Sequence, residues 1–343
     1  MTSSRRDKPA GKALVPLPAI IADIGGTNAR FAFVGRDGRA ESLVRVLVAD
    51  HRTLGDALRT LVIPQAPEPP RAAVLAMAGA ARGERVALTN GSWVAEPRRL
   101  IAQTGLAEIV ILNDFEALAL SLPFLAGKDL AKIGTGKQEP LGTRLVIGPG
   151  TGLGAAGLIH ADGRWAPVRG EGGHIDFGPR TERDFALWRH LDAPGGRVSA
   201  ESLLSGAGLL RLHGAVAASH GARQRYDSPA ALTAAATAGN DALAVETVEL
   251  FATYLGRYAG DLALIFMPSG GVFIGGGVAP VIAARLRSGG FRDAFVNKPP
   301  REAILRTFAT AIIMHPAAAL AGIRALIVRP EDYAVDLEGR WWR

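Results

Sequence analysis

The sequence predicts a mixed α/β fold built from two related halves. Three observations lead there. Short apolar runs alternate with segments of helical periodicity through the first third of the chain. A Gly- and Lys-rich stretch, 127–143, then interrupts the pattern just after Pro123. Beyond it a strand, a Gly-Thr bend and a second strand occur for the second time. A length of 343 residues accommodates one large or two medium domains.

Strands are expected over 19–24, 29–35 and 43–48, with a helix near 53–62. Further strands are expected at 73–77 and 109–112, and helices at 96–104 and 114–122. A domain boundary is placed near 124. The run "IIADIGGTNARFAF", 20–33, reads as two strands joined by a tight turn. "RLVIGPGTGLGAAGLIH", 144–160, has the same form. Gly26-Thr27 aligns with Gly150-Thr151 at an offset of 150 − 26 = 124 positions, although Ile147 stands opposite Asp23. Such a pseudo-repeat predicts two halves facing a common cleft. The longest apolar stretch, Leu243 to Met267, carries Glu246, Glu249, Arg257 and Asp261. It is read as a buried helix, because a membrane span does not tolerate so many charges. "GGVFIGGGVAPVIAARL" is read as a strand, the bend Gly275-Gly276-Gly277 and a helix after Pro280.

Composition narrows the function. Apolar residues make up 48% and charged residues 21%, as in a globular protein with a sizeable core. The formal charge of +7 is spread without a Lys/Arg run, so neither nucleic acid nor a membrane is expected as a partner. There is no cysteine, which excludes disulfides and thiolate zinc sites and is compatible with a reducing cytoplasm, the expected location. Residues 1–18 are basic and rich in Ser and Pro, lack the apolar core of a secretory signal, and are read as a flexible leader.

The polar residues fall where strands end. Successive N–H groups at a glycine-rich bend form an anion site. Asp23, Gly25, Gly26 and Thr27 therefore suit a phosphate-facing hairpin, with the carboxylate on Mg²⁺. Gly148 to Gly154 supply an opposing loop, and the bare backbone at Gly275–Gly277 suits a flat base. Neither a P-loop nor a Gly-x-Gly-x-x-Gly helix opening is present after the first strand. "IVILNDFEALALSLP" ends an apolar strand with Asn113-Asp114, a pair able to bind a hydroxyl and take its proton at the carboxyl end of a sheet strand. "GEGGHIDFGP" places Glu171 and His174 in a loop suited to a polyhydroxyl ligand, with no ligand-spaced partner for zinc. Glu201 precedes a helix, Asn90 follows a strand as a sugar-contact candidate, and Trp93 is assigned to the core. Each also has a plain structural reading: a glycine bend, a helix N-cap at Asp114, a solvated loop, a helix-terminus charge at Glu201.

Taken together, "DIGGTNARFA", "LTNGSW", "LNDFEALA", "GPGTGLGAA", "GEGGHIDF", "SAESLLSGAGL" and "GGVFIGGGVAP" resemble the bacterial glucokinase family, the group without the zinc cysteines of the repressor-kinase (ROK) proteins. The seven come in the family's order across about 19–326. The resemblance implies a two-domain actin-like ATPase (ribonuclease H-like) fold, with a cleft between a small α/β domain and a larger α+β domain. It implies a small domain of 19–124 completed by 317–343, and a large domain of 125–316. It implies phosphorylation of the 6-hydroxyl of glucose with ATP and Mg²⁺, feeding glycolysis, by a homodimer. Asp114 falls on the catalytic base. Asn113, Asp114, Glu171, His174 and Glu201 fall on sugar ligands. Ala22, Asp23, Ile24, Gly25, Gly26 and Thr27 fall on the nucleotide-phosphate loop; Gly150, Thr151 and Gly152, and Gly275, Gly276 and Gly277, complete the nucleotide set. Gly91 stands where the family commonly has a bulkier residue, which implies a looser sugar-side loop. A kinase for fructose or mannose, and a sugar-sensing regulator without turnover, are the rival readings.

Overall fold

Strand β1 (Ala19–Ile24) carries apolar residues on both faces and is buried throughout except at Asp23. Such a strand belongs in the interior of a sheet covered on both sides. In the computed structural model, which describes residues 12–79, 81–89, 91–191 and 194–343, that is its place. The chain divides into two compact units, one comprising the chain up to Pro123, His160–Pro167 and Ala317–Arg343, the other Phe124–Ile159 and Val168–Pro316.

In the first unit, β1 forms a hairpin with β2 (Asn28–Val34), which pairs antiparallel with β3 (Ala40–Leu47). On its other side β1 runs parallel to β4 (Ala72–Met77), and β4 parallel to β7 (Glu108–Asn113). A short pair, β5 (Val86–Ala87) and β6 (Val94–Ala95), intervenes in sequence. The expected helix at 53–62 begins as α1 (Leu54–Ala57), capped by Thr53, and continues as a wider π turn over Leu58–Val62. Helix α2 (Pro97–Thr104) starts with proline at its first turn and stops at Gly105 in the left-handed conformation. Helix α3 (Asp114–Ser121) follows β7 directly and packs on α12 (Ala318–Val328). The two-residue β14 (Trp341–Trp342) pairs antiparallel with β7 and was not expected. Within the leader, Leu14 donates its N–H to the Ile327 carbonyl at 2.9 Å and Val15 is buried; residues 1–11 lie outside the described residues.

The second sheet has β8 (Leu130–Lys132), β9 (Arg144–Pro149), β10 (Leu153–Ala161), β11 (Arg164–Gly170), β12 (Gly271–Ile274) and β13 (Thr310–Ile313), of which the end of β10 and the start of β11 count with the first unit. The helices of the second unit are α4 (Glu182–Trp188), α5 (Ala200–Leu203), α6 (Gly206–Ser219), α7 (Pro229–Ala238), α8 (Ala242–Phe266), α9 (Ala283–Leu286), α10 (Gly290–Val296) and α11 (Glu302–Thr307). The order β11-β10-β9-β12-β13 repeats the order β3-β2-β1-β4-β7. Strand β9 is antiparallel to β10 and parallel to β12, as β1 is to β2 and β4. The repeat seen at the two Gly-Thr bends therefore extends to whole sheets. Helix α8 is the long apolar stretch, and the charge within it that is buried, Arg257, is paired with Asp184 at 2.7 Å. The helix expected straight after Pro280 begins only at Ala283.

Candidate active site

In the first unit the polar residues gather at the carboxyl ends of β1, β4 and β7. Register puts Ile24 beside Met77 and Met77 beside Asn113. The bend closes by donation of the Gly25 N–H to the Asn28 carbonyl at 3.0 Å, leaving Gly26 and Thr27 at its tip. The Ala78 N–H bonds the Ile24 carbonyl at 3.2 Å, and the Thr89 N–H bonds the Ala78 carbonyl at 3.0 Å. This draws the "TNGSW" loop onto the hairpin. Asn90 itself lies outside the described residues. Its neighbour Gly91 contradicts the looser loop expected from its small size: a Cβ there would lie 3.0 Å from the Gly26 Cα and 3.1 Å from its carbonyl oxygen. The glycine permits close approach of two backbones. Trp93 is fully buried, with its indole N–H on the His51 carbonyl at 2.9 Å, as the core assignment expected.

Asp23 pairs with Arg30 across the hairpin at 3.4 Å, its side chain 23% exposed. Burial raises its carboxyl pKa above the ordinary range; Arg30 offsets this only in part. A carboxylate so placed is under-compensated, and a divalent cation would favour its charged form. Among the described residues no cluster of three or more His, Asp or Glu could hold a metal. Mg²⁺ is commonly held by one or two carboxylates, waters and substrate phosphates, and Asp23 supplies one such carboxylate. Ala22 and Ile24 are buried strand residues, so only their backbone groups can serve a ligand.

The cap of α3 corrects the structural reading given to Asp114. Asn113 is the N-cap: its Oδ1 accepts the N–H groups of Phe115 at 3.0 Å and Glu116 at 3.1 Å. Glu116 returns the bond, accepting the Asn113 N–H at 3.3 Å. The Asn113 Nδ2 donates to the Gly79 carbonyl at 3.2 Å, which leaves one amide hydrogen for a ligand. Asp114 is the first helical residue, and its Oδ1 accepts the Phe115 N–H at 3.0 Å. Helix capping therefore does not explain an aspartate at this position.

In the second unit the bend Gly150–Gly152 closes through Gly150 N–H to the Gly152 carbonyl at 2.8 Å. The Gly25 N–H reaches across two residues to Asn28 and the Gly150 N–H across one to Gly152, so the repeat is not exact in its turns. The Gly150 carbonyl accepts the Gly206 N–H at 2.8 Å, at the start of α6. Gly275 donates to the Ile147 carbonyl at 2.7 Å. Gly276 has φ +76, and a Cβ there would strike the Pro149 carbonyl, so only glycine fits. Gly150, Thr151 and Gly152 thus share one end of this sheet with Gly275, Gly276 and Gly277.

Glu171 caps a short 3₁₀ turn whose last residue is His174, with the His174 Nε2 3.9 Å from the Glu171 carboxylate and both side chains exposed. The loop is tied to the chain before α5: Arg197 donates to the His174 carbonyl at 2.7 Å, and the Ala200 N–H to the Ile175 carbonyl at 2.9 Å. Glu201 was expected just before a helix. It lies inside α5, whose cap is Ser199, and its Oε2 accepts the Leu153 N–H at 2.8 Å. Glu171, His174 and Glu201 are thereby linked to the Gly150–Gly152 bend. Sequence reasoning missed Tyr258. It is fully buried, its hydroxyl has no hydrogen-bond partner among the described residues, and burial with the Glu201 charge pushes its pKa up. A tyrosine within an apolar helical stretch gives no local signal of this.

The whole arrangement has close relatives. A family model described as Glucokinase matches residues 20–329. The glucokinase of Sinorhizobium medicae is 46% identical over 329 residues, covering 96% of this chain and 97% of its own. The crystal structure of a glucokinase from an Antarctic psychrotroph is 31% identical, with a TM-score of 0.77 over 90% of this chain and 98% of that one. A ROK family glucokinase from Streptomyces griseus, solved with glucose and AMPPNP, is 22% identical with a TM-score of 0.61 over 90% and 99%, a likeness of fold. The fold is the actin-like ATPase fold expected from the sequence. By motif, length and fold alike, the chain belongs to the glucokinase family.

Proposed function

We propose that this glucose kinase transfers the γ-phosphoryl group of ATP to the 6-hydroxyl of glucose. Phosphorylation of glucose follows from the near full-length relationship to glucokinases. The donor and the residue roles are inferred. The observation that carries them is Asn113-Asp114 at the end of β7, in register with the glycine hairpin at the end of β1.

Phosphoryl transfer rests mainly on positioning and charge neutralisation. Asp114 orients the sugar hydroxyl and accepts its proton. Asn113 offers its remaining amide hydrogen to the sugar. Glu171, His174 and Glu201 read further hydroxyls, and Asn90 is retained as a sugar contact. The backbone of Ala22–Thr27 and of Gly150–Gly152 binds phosphates, and Gly275–Gly277 carries the base. Asp23 would hold Mg²⁺, which when bound neutralises charge on the phosphates. The ligands of the Streptomyces griseus relative, glucose and AMPPNP, support ATP as donor. The two units are taken as the two domains of the kinase. Homodimerisation, a cytoplasmic location and a place at the head of glycolysis are carried over from the family. Among the described residues no helix is long and apolar enough to cross a membrane.

The rival kinases for fructose or mannose are not favoured by relatives described as glucokinases. A coupled ADP-release assay over a hexose panel tests the reading. Glucose should give the highest kcat/KM, and turnover should require Mg²⁺. A higher kcat/KM for another hexose would move the substrate assignment to that sugar. Glucose binding without ADP release would favour the sensor.

A further inference from the structure

We propose that Arg340 is a positioning residue for phosphoryl transfer, acting on Asn113 and Asp114 through the Glu116 carboxylate. The inference rests on the roles just given to Asn113 and Asp114. Arg340 is fully buried and Glu116 is 2% exposed. The guanidinium makes a two-pronged contact, Nη1 to Oε2 at 2.6 Å and Nη2 to Oε1 at 3.1 Å. The same Oε2 accepts the Asn113 N–H. One carboxylate therefore joins a residue near the C-terminus to the backbone N–H of Asn113, the residue before Asp114.

Arg340 also holds the strand. Its carbonyl accepts the Ile111 N–H at 2.9 Å, two residues before Asn113 on β7. Its Nη2 donates to the Asp336 carbonyl, which fixes the guanidinium from behind. Around it, the Trp341 indole donates to Glu108 at 2.9 Å and the Trp342 indole to Glu84 at 3.3 Å. Trp342 is buried in the core of the first unit. The strap therefore grips both β7 and the first turn of α3, the two elements that meet at Asn113-Asp114.

Stability alone does not call for this device. Asn113 already caps α3 with two side-chain bonds. Replacing a buried ion pair with apolar groups is often neutral or stabilising, because desolvation of both charges opposes their attraction. What the pair adds is a fixed direction. A catalytic group displaced by about 1 Å can lose on the order of a hundredfold in rate.

The test compares Arg340→Lys with the double variant Glu116→Gln/Arg340→Met. Lysine keeps the charge and loses the two-pronged grip. In the double variant the glutamine oxygen still accepts the Asn113 N–H and no buried charge is left unpaired, so the fold does not depend on the pair. Melting curves, and kcat and KM for glucose and ATP per folded molecule, are measured for each. The expected result is parent-like melting of the double variant, kcat lowered about tenfold to a hundredfold, an unchanged ATP KM, and partial recovery with lysine. Parent-like kcat per folded molecule in both, or activity that merely follows the folded fraction, overturns the inference. Asp114→Asn run in parallel separates the two layers. If Asp114→Asn is active, the role of Asp114 fails; if it is inactive while the Arg340 variants match the parent, only the positioning role fails.

Discussion

Replacing Asp114 with asparagine separates chemistry from architecture at the start of α3. Asn113 supplies the cap, so the substitution leaves both capping bonds in place. What it removes from the helix is a negative charge in the first turn, worth about 0.3–1 kcal/mol. For a unit of this size that corresponds to a fall of roughly 1–4 °C in Tm. The chemical loss is larger. An amide cannot accept the proton of the sugar hydroxyl, and loss of a general base costs on the order of 10²–10⁴ in rate. At about 1.4 kcal/mol per decade, that is roughly 3–5 kcal/mol of barrier. The chemical effect therefore exceeds the structural one severalfold, and a small fall in Tm cannot mimic it at 25 °C. The assay is steady-state ADP release beside a thermal melt and glucose titration by intrinsic fluorescence. Asp114→Asn should fold, bind glucose and lose at least about two decades of kcat. Early melting with near-parent kcat would refute the reasoning.

Other perturbations probe the remaining parts. Because burial raises the Asp23 pKa, its charge costs stability above that raised pKa, and the cost disappears as pH falls below the ordinary value of 3.8. Asp23→Asn should therefore melt no lower than the parent at neutral pH, lose that advantage in acid, and bind Mn²⁺–ATP more weakly by calorimetry; a lower Tm with parent Mn²⁺–ATP binding would contradict both points. Glu171→Ala and His174→Ala should each raise the glucose KM about ten- to hundredfold, from a lost charged hydrogen bond of about 1.5–3 kcal/mol, while the ATP KM stays near normal; an unchanged glucose KM in both places the sugar elsewhere. Asp184 behaves oppositely to Asp23. Burial would raise its pKa, but the Arg180 N–H, the Tyr254 hydroxyl, Thr181 and Arg257 together hold it below the ordinary value. Its stabilisation is present above 3.8 and lost as pH falls through the depressed pKa. Asp184→Ala, which strands the buried Arg257, should cost about 3–5 kcal/mol at neutral pH in a denaturant melt, and a cost under about 1 kcal/mol would refute the pairing.

The parts legible in the sequence are those whose signal is local. Both hairpins, the buried strand ending at Asn113 and the helix over 242–266 follow from short apolar runs, glycine bends and length. The repeat at the two Gly-Thr bends pointed to related sheets because a bend is fixed by its own residues. What local pattern could not supply is pairing across the chain. β14 is two residues long and exists through β7. Arg340 reads as one more basic residue until folding brings it to Glu116, 224 positions away. The plain structural reading of Asp114 as the cap falls to its neighbour Asn113, because Asn and Asp cap equally well and only the backbone geometry decides between adjacent candidates. Glu201, expected just before a helix, lies inside α5 because the cap is Ser199, a boundary that backbone geometry sets. The narrow space above Gly26 explains Gly91, and no one-dimensional pattern marks a space.

The most direct test follows the phosphorus. Enzyme, Mg²⁺, ATP and glucose are mixed, and ³¹P and ¹³C spectra are recorded over time. ATP should convert to ADP with one equivalent of a phosphate ester on C6 of glucose, 6-deoxyglucose should give none, and Asp114→Asn should show at most about a hundredth of the parent's rate. Phosphate esterified at another carbon, inorganic phosphate in place of an ester, or parent-rate transfer by Asp114→Asn would contradict the proposed chemistry.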